Sequence, residues 1–362
     1  MSDRAIPVNT QQPAAAPGES TSRTGTPVVV GMMRASGRPG AAALAAAHAA
    51  AMRGASLFYF NPVHVDIGTG SLRGWTYEPG GWREVDSRLP DVVINDFSSR
   101  KHGKVWEYLQ ARVPFTSPFL GDKIEIMKRM EERNFYNRLQ IPTRSITSFD
   151  VLLRMIERHG KVVAKPRDGG QGRDVFFIGK LDEGYSINAD SAWRNGDRDD
   201  LEKFYDEKLH DKKFIVQRYI ESVTKHGLPF DVRLHARRNG KGDWEVLRVY
   251  PRIGSGRTIT SNYSAGGSIA DLRSFLRDHY GERADAVRRE LMRLASEMPR
   301  RFQELYDDRT IDAVGIDIGL DASGRPWLFE VNHFPWTKFF ELEAAILRVD
   351  YALFVASKRG EP

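Results

Sequence analysis

Apolar residues fall along this chain in short runs separated by charged stretches, and their spacing predicts a mixed α/β protein. PVVVGM at 27–32 is an uninterrupted apolar run bounded by turn formers, which reads as a buried strand. After Ser36, Gly37 and Pro39, an alanine-rich segment through Met52 has the length and small side chains of a well-packed helix. LFYF at 57–60 is a second strand, and strand, helix, strand at this spacing predicts a right-handed parallel crossover. DVVIN at 91–95, after Pro90, adds another strand. The segment from Trp75 to Val85, with its Trp and Gly residues, reads as a short antiparallel excursion. Residues 27–115 are thus expected to form a small α/β domain built on a parallel sheet.

The pattern changes after that. Lys123 to Leu139 reads as a charged helix, and Ser148 to Arg158 as another with Ser148 at its N-cap. Strands are expected at 161–164, 175–178, 214–217, 232–237 and 244–250. A long helix fits Ile269 to Tyr306 with a break near Gly281. Ala313 to Leu320, a turn at 321–324 and Trp327 to Val331 read as an antiparallel hairpin. Residues 1–26, rich in Ala, Pro, Ser, Thr and Gln without apolar periodicity, read as a disordered tail. The expected organisation is therefore that tail, the α/β domain 27–115, two further units at 116–222 and 223–350, and a tail at 351–362.

Composition narrows the chemistry. The chain has no cysteine, which excludes disulfides, thiolate metal sites and thiol nucleophiles and leaves oxygen or imidazole to hold any metal. No apolar stretch approaches the ~18 residues of a membrane span, and no long apolar core of a secretory signal is present, so a cytoplasmic protein without a membrane partner is expected. The formal charge of +6 raises nucleic acid as a partner, but Lys and Arg are scattered without a run of five. The excess reads instead as a bias toward anionic small ligands, with no nucleic-acid partner.

Two segments carry chemistry. In GIDIGLDASGRPWLFEVN at 315–332, Glu330 and Asn332 share a strand face. Pairing across the turn brings Asp317 opposite them, so two carboxylates and an amide oxygen converge as hard ligands suited to Mg²⁺. The apolar neighbours Ile316, Ile318, Phe329 and Val331 imply burial, where a carboxylate is costly unless a cation meets it. The second is VVAKPRDGGQGRDVFFI at 162–178, a strand ending in Lys165, a loop with Gly169, Gly170 and Gly172, and another strand. Such a turn can fold over phosphates with Lys165 as a point charge. By itself it reads equally well as a plain glycine hairpin.

In their order and spacing these segments resemble the ATP-grasp superfamily, with its glutathione-synthetase-like ATP-binding fold, and in detail its YheC/YheD-like branch. The resemblance runs from about Pro27 to the early 340s. It implies a small parallel-sheet amino-terminal domain followed by a two-subdomain ATP-grasp fold. By resemblance Lys123 of FLGDKIEIMKRM, Lys165 and the glycine loop meet nucleotide phosphates, and Gln217, Tyr219 and Ile220 of VQRYI form the adenine hinge, with Glu221 a weak candidate for the ribose. Arg233 of Asp-Val-Arg and Arg252 of VYPRIG match the family's arginines, and Ser261-Asn262 ahead of Gly266-Gly267 matches its acceptor-side segment. Asp317, Glu330 and Asn332 match its magnesium ligands. Two departures stand out: Asp174 where the family often has glycine, and Pro335-Trp336 where it commonly has Pro-Gly.

The implied function is an ATP- and Mg²⁺-dependent carboxylate–amine ligase working through an acyl phosphate on small-molecule or peptide substrates, with Arg233, Arg252 and Asn262 on the catalytic side. The rival readings are a non-catalytic nucleotide-binding structural protein and a ligase adding amino acids to a protein or peptide end. Oligomeric state is left open, a homo-oligomer included. His235 reads as packed or solvated rather than catalytic, His333 sits beside the metal segment but not at a ligand position, and Asp321 reads as a turn former. Trp336, Phe339 and Phe340 read as either pocket lining or a core cap.

Overall fold

The computed structural model describes residues 27–95, 103–121, 123–167, 174–189, 192–254 and 267–358, the side chains of 123, 124 and 189 excepted. The first apolar run is β1 (Val29–Met33), and the alanine-rich segment is α1 (Ala41–Ala51). Strands β2 (Ser56–Val65) and β5 (Val92–Asn95) flank β1 and run parallel to it, as the crossover requires. The Trp-bearing excursion is an antiparallel pair, β3 (Leu72–Glu78) and β4 (Gly81–Ser87), added to β2. The resulting sheet has the order β4-β3-β2-β1-β5, and α2 (Gly103–Gln110) packs near its end through buried Leu109.

The second sheet, ordered β10-β9-β8-β7-β11-β6, is antiparallel throughout. It contains β6 (Thr143–Ser145), β7 (Lys161–Pro166), β8 (Phe176–Lys180), β9 (Tyr185–Ala189), β10 (Ala192–Gly196) and β11 (Phe214–Arg218). Helices α4 (Phe149–His159) and α5 (Arg198–Lys208) bury Leu152, Ile156, Leu201 and Tyr205 against it. Ser148 sits at the N-cap of α4, but its side chain makes no capping hydrogen bond. The charged helix before this sheet, α3 (Lys123–Glu132), is shorter than expected. Asn134 and Tyr136 take left-handed backbone conformations, with φ of 52° and 46°, and this turn drops Phe135 into the core.

The third sheet has the order β14-β13-β12-β15-β16. Its strands are β12 (Phe230–Arg238), β13 (Trp244–Ile253), β14 (Ser268–Ile269), β15 (Ala313–Leu320) and β16 (Pro326–Asn332). The expected long helix is α6 (Leu272–Tyr280) and α7 (Ala284–Gln303), separated by Gly281 at φ 54°, a conformation that glycine adopts without a Cβ penalty. One face of this sheet is apolar: Val232, Leu234, Ile316 and Ile318 pack with Leu291, Leu294 and Met298 of α7. The other face carries Arg233, His235, Arg237 and Asp317, and it is buried as well.

What buries that polar face is the chain after Asn332. Pro335 and the Arg233 side chain both lie against Gly315, the Phe340 ring lies 5.6 Å from that of His235, and α8 (Glu341–Lys358) packs on β12. The same helix reaches back to the first sheet. Ala345, Val349 and Ala352 enter one buried cluster with Ala43, Ala46 and Ala50 of α1, and Arg53 donates to Asp350 at 2.6 and 2.9 Å. Much of the segment expected as a carboxyl-terminal tail is therefore helix, to Lys358. The amino-terminal tail, 1–26, lies outside the described residues.

Candidate functional site

A cavity of about 750 Å³ opens between the second and third sheets, within the ~300–1,000 Å³ usual for small-ligand sites. Val163, Lys165 and Phe177 form one wall with the end of β11, and Asp231, Arg252, Asp317, Leu328 and Glu330 form the other. Ile126, Met127 and Met130 of α3 close one end with apolar side chains.

Antiparallel pairing explains the first wall. β7 and β11 pair with Lys165 opposite Ile215, so Lys165 and Gln217 lie two rungs apart on the same face. The Lys165 ammonium donates to Gln217 Oε1 at 3.0 Å, and Gln217 Nε2 donates to Thr143 Oγ1 at 3.0 Å. Just beyond, the Tyr219 ring stands edge-on to Phe177 at 5.6 Å and Ile220 is buried. Burial raises the Tyr219 phenol above its ordinary value, so it stays neutral at physiological pH. This wall offers an apolar slot beside a fixed cation.

The second wall is electrostatic. Asp317 on β15 pairs in register with Glu330 on β16 and with Arg233 on β12. The Arg233 guanidinium forks onto Asp317, its Nη2 donating to Oδ2 at 2.9 Å and its Nε to Oδ1. Arg252 adds Nη2 to Asp317 Oδ2 at 2.9 Å and forks onto Asp231 at 2.7 and 2.6 Å. Asn332 Nδ2 donates to Asp317 Oδ2 at 3.2 Å. Burial by itself would raise the Asp317 carboxyl, but the two guanidiniums outweigh it and hold it below the usual carboxylate range. Arg252 is likewise pulled above its ordinary value by Asp317 and Asp231 against the opposing effect of burial.

Whether these residues suit a metal can be judged from the donor set. Among the described residues no three His, Asp or Glu side chains converge, so no all-protein cage exists. Two facing carboxylates with a neighbouring amide instead suit a hard cation that arrives with phosphate oxygens and keeps waters. The fit is to Mg²⁺ bound with a polyphosphate.

Of the residues singled out from sequence, Lys165, Gln217, Tyr219, Ile220, Arg252, Asp317 and Glu330 share this cavity. Arg233 and Asn332 reach it only through Asp317. Glu221 is exposed and does not line the cavity. Lys123 opens α3, with its side chain outside the described residues, as are Gly169, Gly170, Gly172 and Asn262. Asp174 adopts φ 54°, the conformation for which glycine is the easier residue. Asp321 is the turn former expected, accepting from the Ser323 and Arg325 amides.

The three aromatics after the hairpin divide: Phe340 is 2% exposed and caps the polar face, whereas Trp336 is 77% and Phe339 51% exposed. His235 is fully enclosed beside Arg233, Arg237 and Arg348; burial and those cations push its imidazole well below its ordinary value. Sequence reasoning gave no role to Asp231, although its place two residues before Arg233 puts it on the same strand face. Thr143 lies in no quoted segment, and Phe177 and Met130, though inside the glycine-loop and Lys123 segments, carried no signal of their own for lining a cavity.

Against known proteins, the family described as YheC/D-like ATP-grasp matches residues 112–351. Endospore coat-associated protein YheD of Bacillus subtilis (strain 168) is 24% identical over 304 residues, 79% of this chain and 66% of its own length, so the chain spans just under two thirds of that relative. Among solved structures, D-alanyl-alanine synthetase A from Vibrio cholerae superposes with a TM-score of 0.54 at 12% identity, covering 92% of this chain and 98% of that one. ATP-grasp ligase PsnB, complexed with precursor peptide PsnA2 and AMPPNP, superposes with a TM-score of 0.52 at 12% identity, covering 91% and 98%.

Proposed function

Because the chain belongs to the YheC/D-like ATP-grasp family, we propose that it is an ATP-dependent ligase joining a carboxylate to an amine through an acyl phosphate. The observation that carries this reading is the cavity itself, where an apolar slot beside Lys165 on one sheet faces Arg252, Asp317 and Glu330 on another. A nucleotide has the matching polarity: a flat apolar base at one end and a polyanion at the other.

In this reading Phe177, Tyr219 and Ile220 receive the base, while Lys165 meets the phosphates, joined by Lys123 and the glycine loop at 169–172. Asp317, Glu330 and Asn332 would hold Mg²⁺, which would supply charge neutralisation for the polyphosphate. Arg252 orients the reacting oxygens while Arg233 holds Asp317 from behind, and fixed donors of this kind provide most of the catalysis in phosphoryl transfer. A carboxylate oxygen of the donor bonds to the γ-phosphorus as the bond to the bridging oxygen breaks, giving the acyl phosphate and ADP. The amine nitrogen then bonds to the acyl carbon, phosphate departs with the C–O electron pair, and the nitrogen gives up a proton. Asn262 belongs to the acceptor side.

The test is Mg²⁺-dependent release of ADP and phosphate by the purified chain with pools of amino acids, small carboxylates and short peptides. An Asp317→Ala, Glu330→Ala double variant serves as the control. Release that needs both an acid and an amine and is lost in the variant is the expected result. ATP cleavage that ignores the organic substrates would sink the ligase reading. The name of the relative YheD, a coat-associated protein, supports a second reading as a non-catalytic nucleotide-binding structural protein. Nucleotide binding without turnover across all pools is what that reading requires. The PsnB complex with a precursor peptide favours including peptide ends among the substrates tested.

A further inference from the structure

We propose that Arg252 occupies the metal-binding carboxylate until a nucleotide arrives, and that Asp231 is the positioning residue that keeps the displaced guanidinium in the site. This rests on the reading of the cavity as a nucleotide site, and it adds an order of events that the reading does not contain.

Crowding at one oxygen is the starting point. Asp317 Oδ2 accepts from Arg233 Nη2 at 2.9 Å, Arg252 Nη2 at 2.9 Å and Asn332 Nδ2 at 3.2 Å. A carboxylate oxygen has about two lone pairs to offer, so a cation reaching Oδ2 must displace a donor. The two cationic donors differ. Arg233 lies behind Asp317, outside the cavity lining, with both of its described bonds on that carboxylate, whereas Arg252 lines the cavity and holds a second anchor. Its Nη2 lies 2.6 Å from Asp231 Oδ2 and 2.9 Å from Asp317 Oδ2, so the same nitrogen straddles two carboxylates.

The charges then set the order of binding. At Asp317 two guanidiniums, Arg233 and Arg252, stand against two carboxylates, Asp231 and Asp317. A free divalent cation entering this balanced cluster gains little attraction and must set a largely buried guanidinium beside a second positive charge. A polyphosphate changes both conditions at once, because it gives Arg252 a new partner that a guanidinium binds in fork geometry. Arg252 leaves Asp317 for phosphate, the oxygen opens, and the cation carried by the same polyphosphate takes its place. Asp231 holds Nε at 2.7 Å throughout, which confines the movement to the outer end of the guanidinium.

The exchange is tested by titrating Mn²⁺ into the full chain, followed by the electron spin resonance of the free ion, with and without AMP-PNP. Arg252→Met is expected to raise the nucleotide-free Mn²⁺ affinity at least about tenfold, since it removes a positive charge from the cluster, and to shrink the enhancement that AMP-PNP provides. Asp231→Asn is expected to leave the nucleotide-free affinity at or below that of the unaltered chain while weakening Mn²⁺ binding in the presence of AMP-PNP. Equal nucleotide-free affinities in Arg252→Met and the unaltered chain overturn the proposal. An Asp231→Asn chain that binds free Mn²⁺ more tightly removes Asp231 from it. Should Arg252→Met not fold, Arg252→Gln, which keeps a donor toward Asp231 but no charge, carries the same expectation. If AMP-PNP and Mn²⁺ do not bind the unaltered chain, the nucleotide reading falls; if they bind and the free-metal affinities agree, only the exchange falls.

Discussion

Asp317 carries two guanidiniums on a buried face, so its carboxylate supports the fold as well as the site. Asp317→Ala takes from the buried Arg233 the carboxylate it forks onto, while Arg252 keeps Asp231, and is expected to cost about 3–5 kcal/mol, the usual scale for breaking a buried pair. Urea denaturation measures it. Glu330 is only half-buried, so Glu330→Gln is expected to abolish nucleotide-dependent turnover with less than about 1 kcal/mol lost. Similar losses in the two variants would remove that distinction.

His235 gives a pH signature at the same scale. It is enclosed by Arg233 and Arg237 on its own strand, by Arg348 of α8 and by the Phe340 ring. Its imidazole is held neutral in the fold, with a value below that of the unfolded chain. Below about pH 6.5 the unfolded chain therefore takes up a proton that the folded chain refuses. Stability is full above that pH and is expected to fall as pH drops from about 6.5, before the carboxylates begin to titrate. His235→Gln is expected to flatten this part of the curve, measured as the urea midpoint between pH 7 and 5; an unchanged slope would count against the assignment.

At the scale of elements, the first sheet depends on a close approach at Gly74. A Cβ there would lie 2.2 Å from the Tyr59 carbonyl oxygen and 2.8 Å from the Phe58 ring. The strands cannot keep their register with a side chain between them. Gly74→Ala is expected to cost about 1–3 kcal/mol, read as a lower melting temperature with nucleotide binding intact in the surviving fold. The elements that could be read from sequence were those with a strong period or a strong break. The crossover from β1 through α1 to β2 showed in its apolar runs, and the division of α6 from α7 showed at Gly281. The hairpin of β15 and β16 was legible because Asp321 and Gly324 mark the turn, but regular pairing beyond Ile318 and Leu328 would set Phe329 opposite Asp317, and only a bulge between Asp317 and Ile318 brings Glu330 there. Elements whose stability comes from partners were not legible. The strands β9 and β10 and the helix α5 carry mostly polar residues around a few buried ones such as Ile187, Leu201 and Tyr205. The charged face of β12 was misleading in another way. An alternating strand such as FDVRLHARR reads as half-exposed, yet both faces are buried because a distant segment covers the polar one. The bonds of Asp231 and Arg233 follow from that tertiary cover, and no local pattern contains them.

At the scale of the whole molecule, α8 ties the first sheet to the third. Its Val349 is fully buried in the amino-terminal core, while Arg348 lies beside His235 on the third sheet. Val349→Asp places an unpaired charge in that core and is expected to destabilise both regions together. Protease digestion followed by mass spectrometry checks this: early cuts should appear in 28–95 and in 230–253 alike, and cuts confined to one region would separate the two cores. The same helix bears on how the protein is made. A ribosome delivers α1, β1 and β2 long before α8, and the second and third sheets are synthesised in between. At ~5–20 residues per second this leaves the alanine-lined face of α1 waiting for its cover on the order of ten seconds or more. The packing of the first domain is therefore expected to be completed only when α8 emerges, so a nascent chain halted before Glu341 should leave the alanine-lined face of α1 open to solvent.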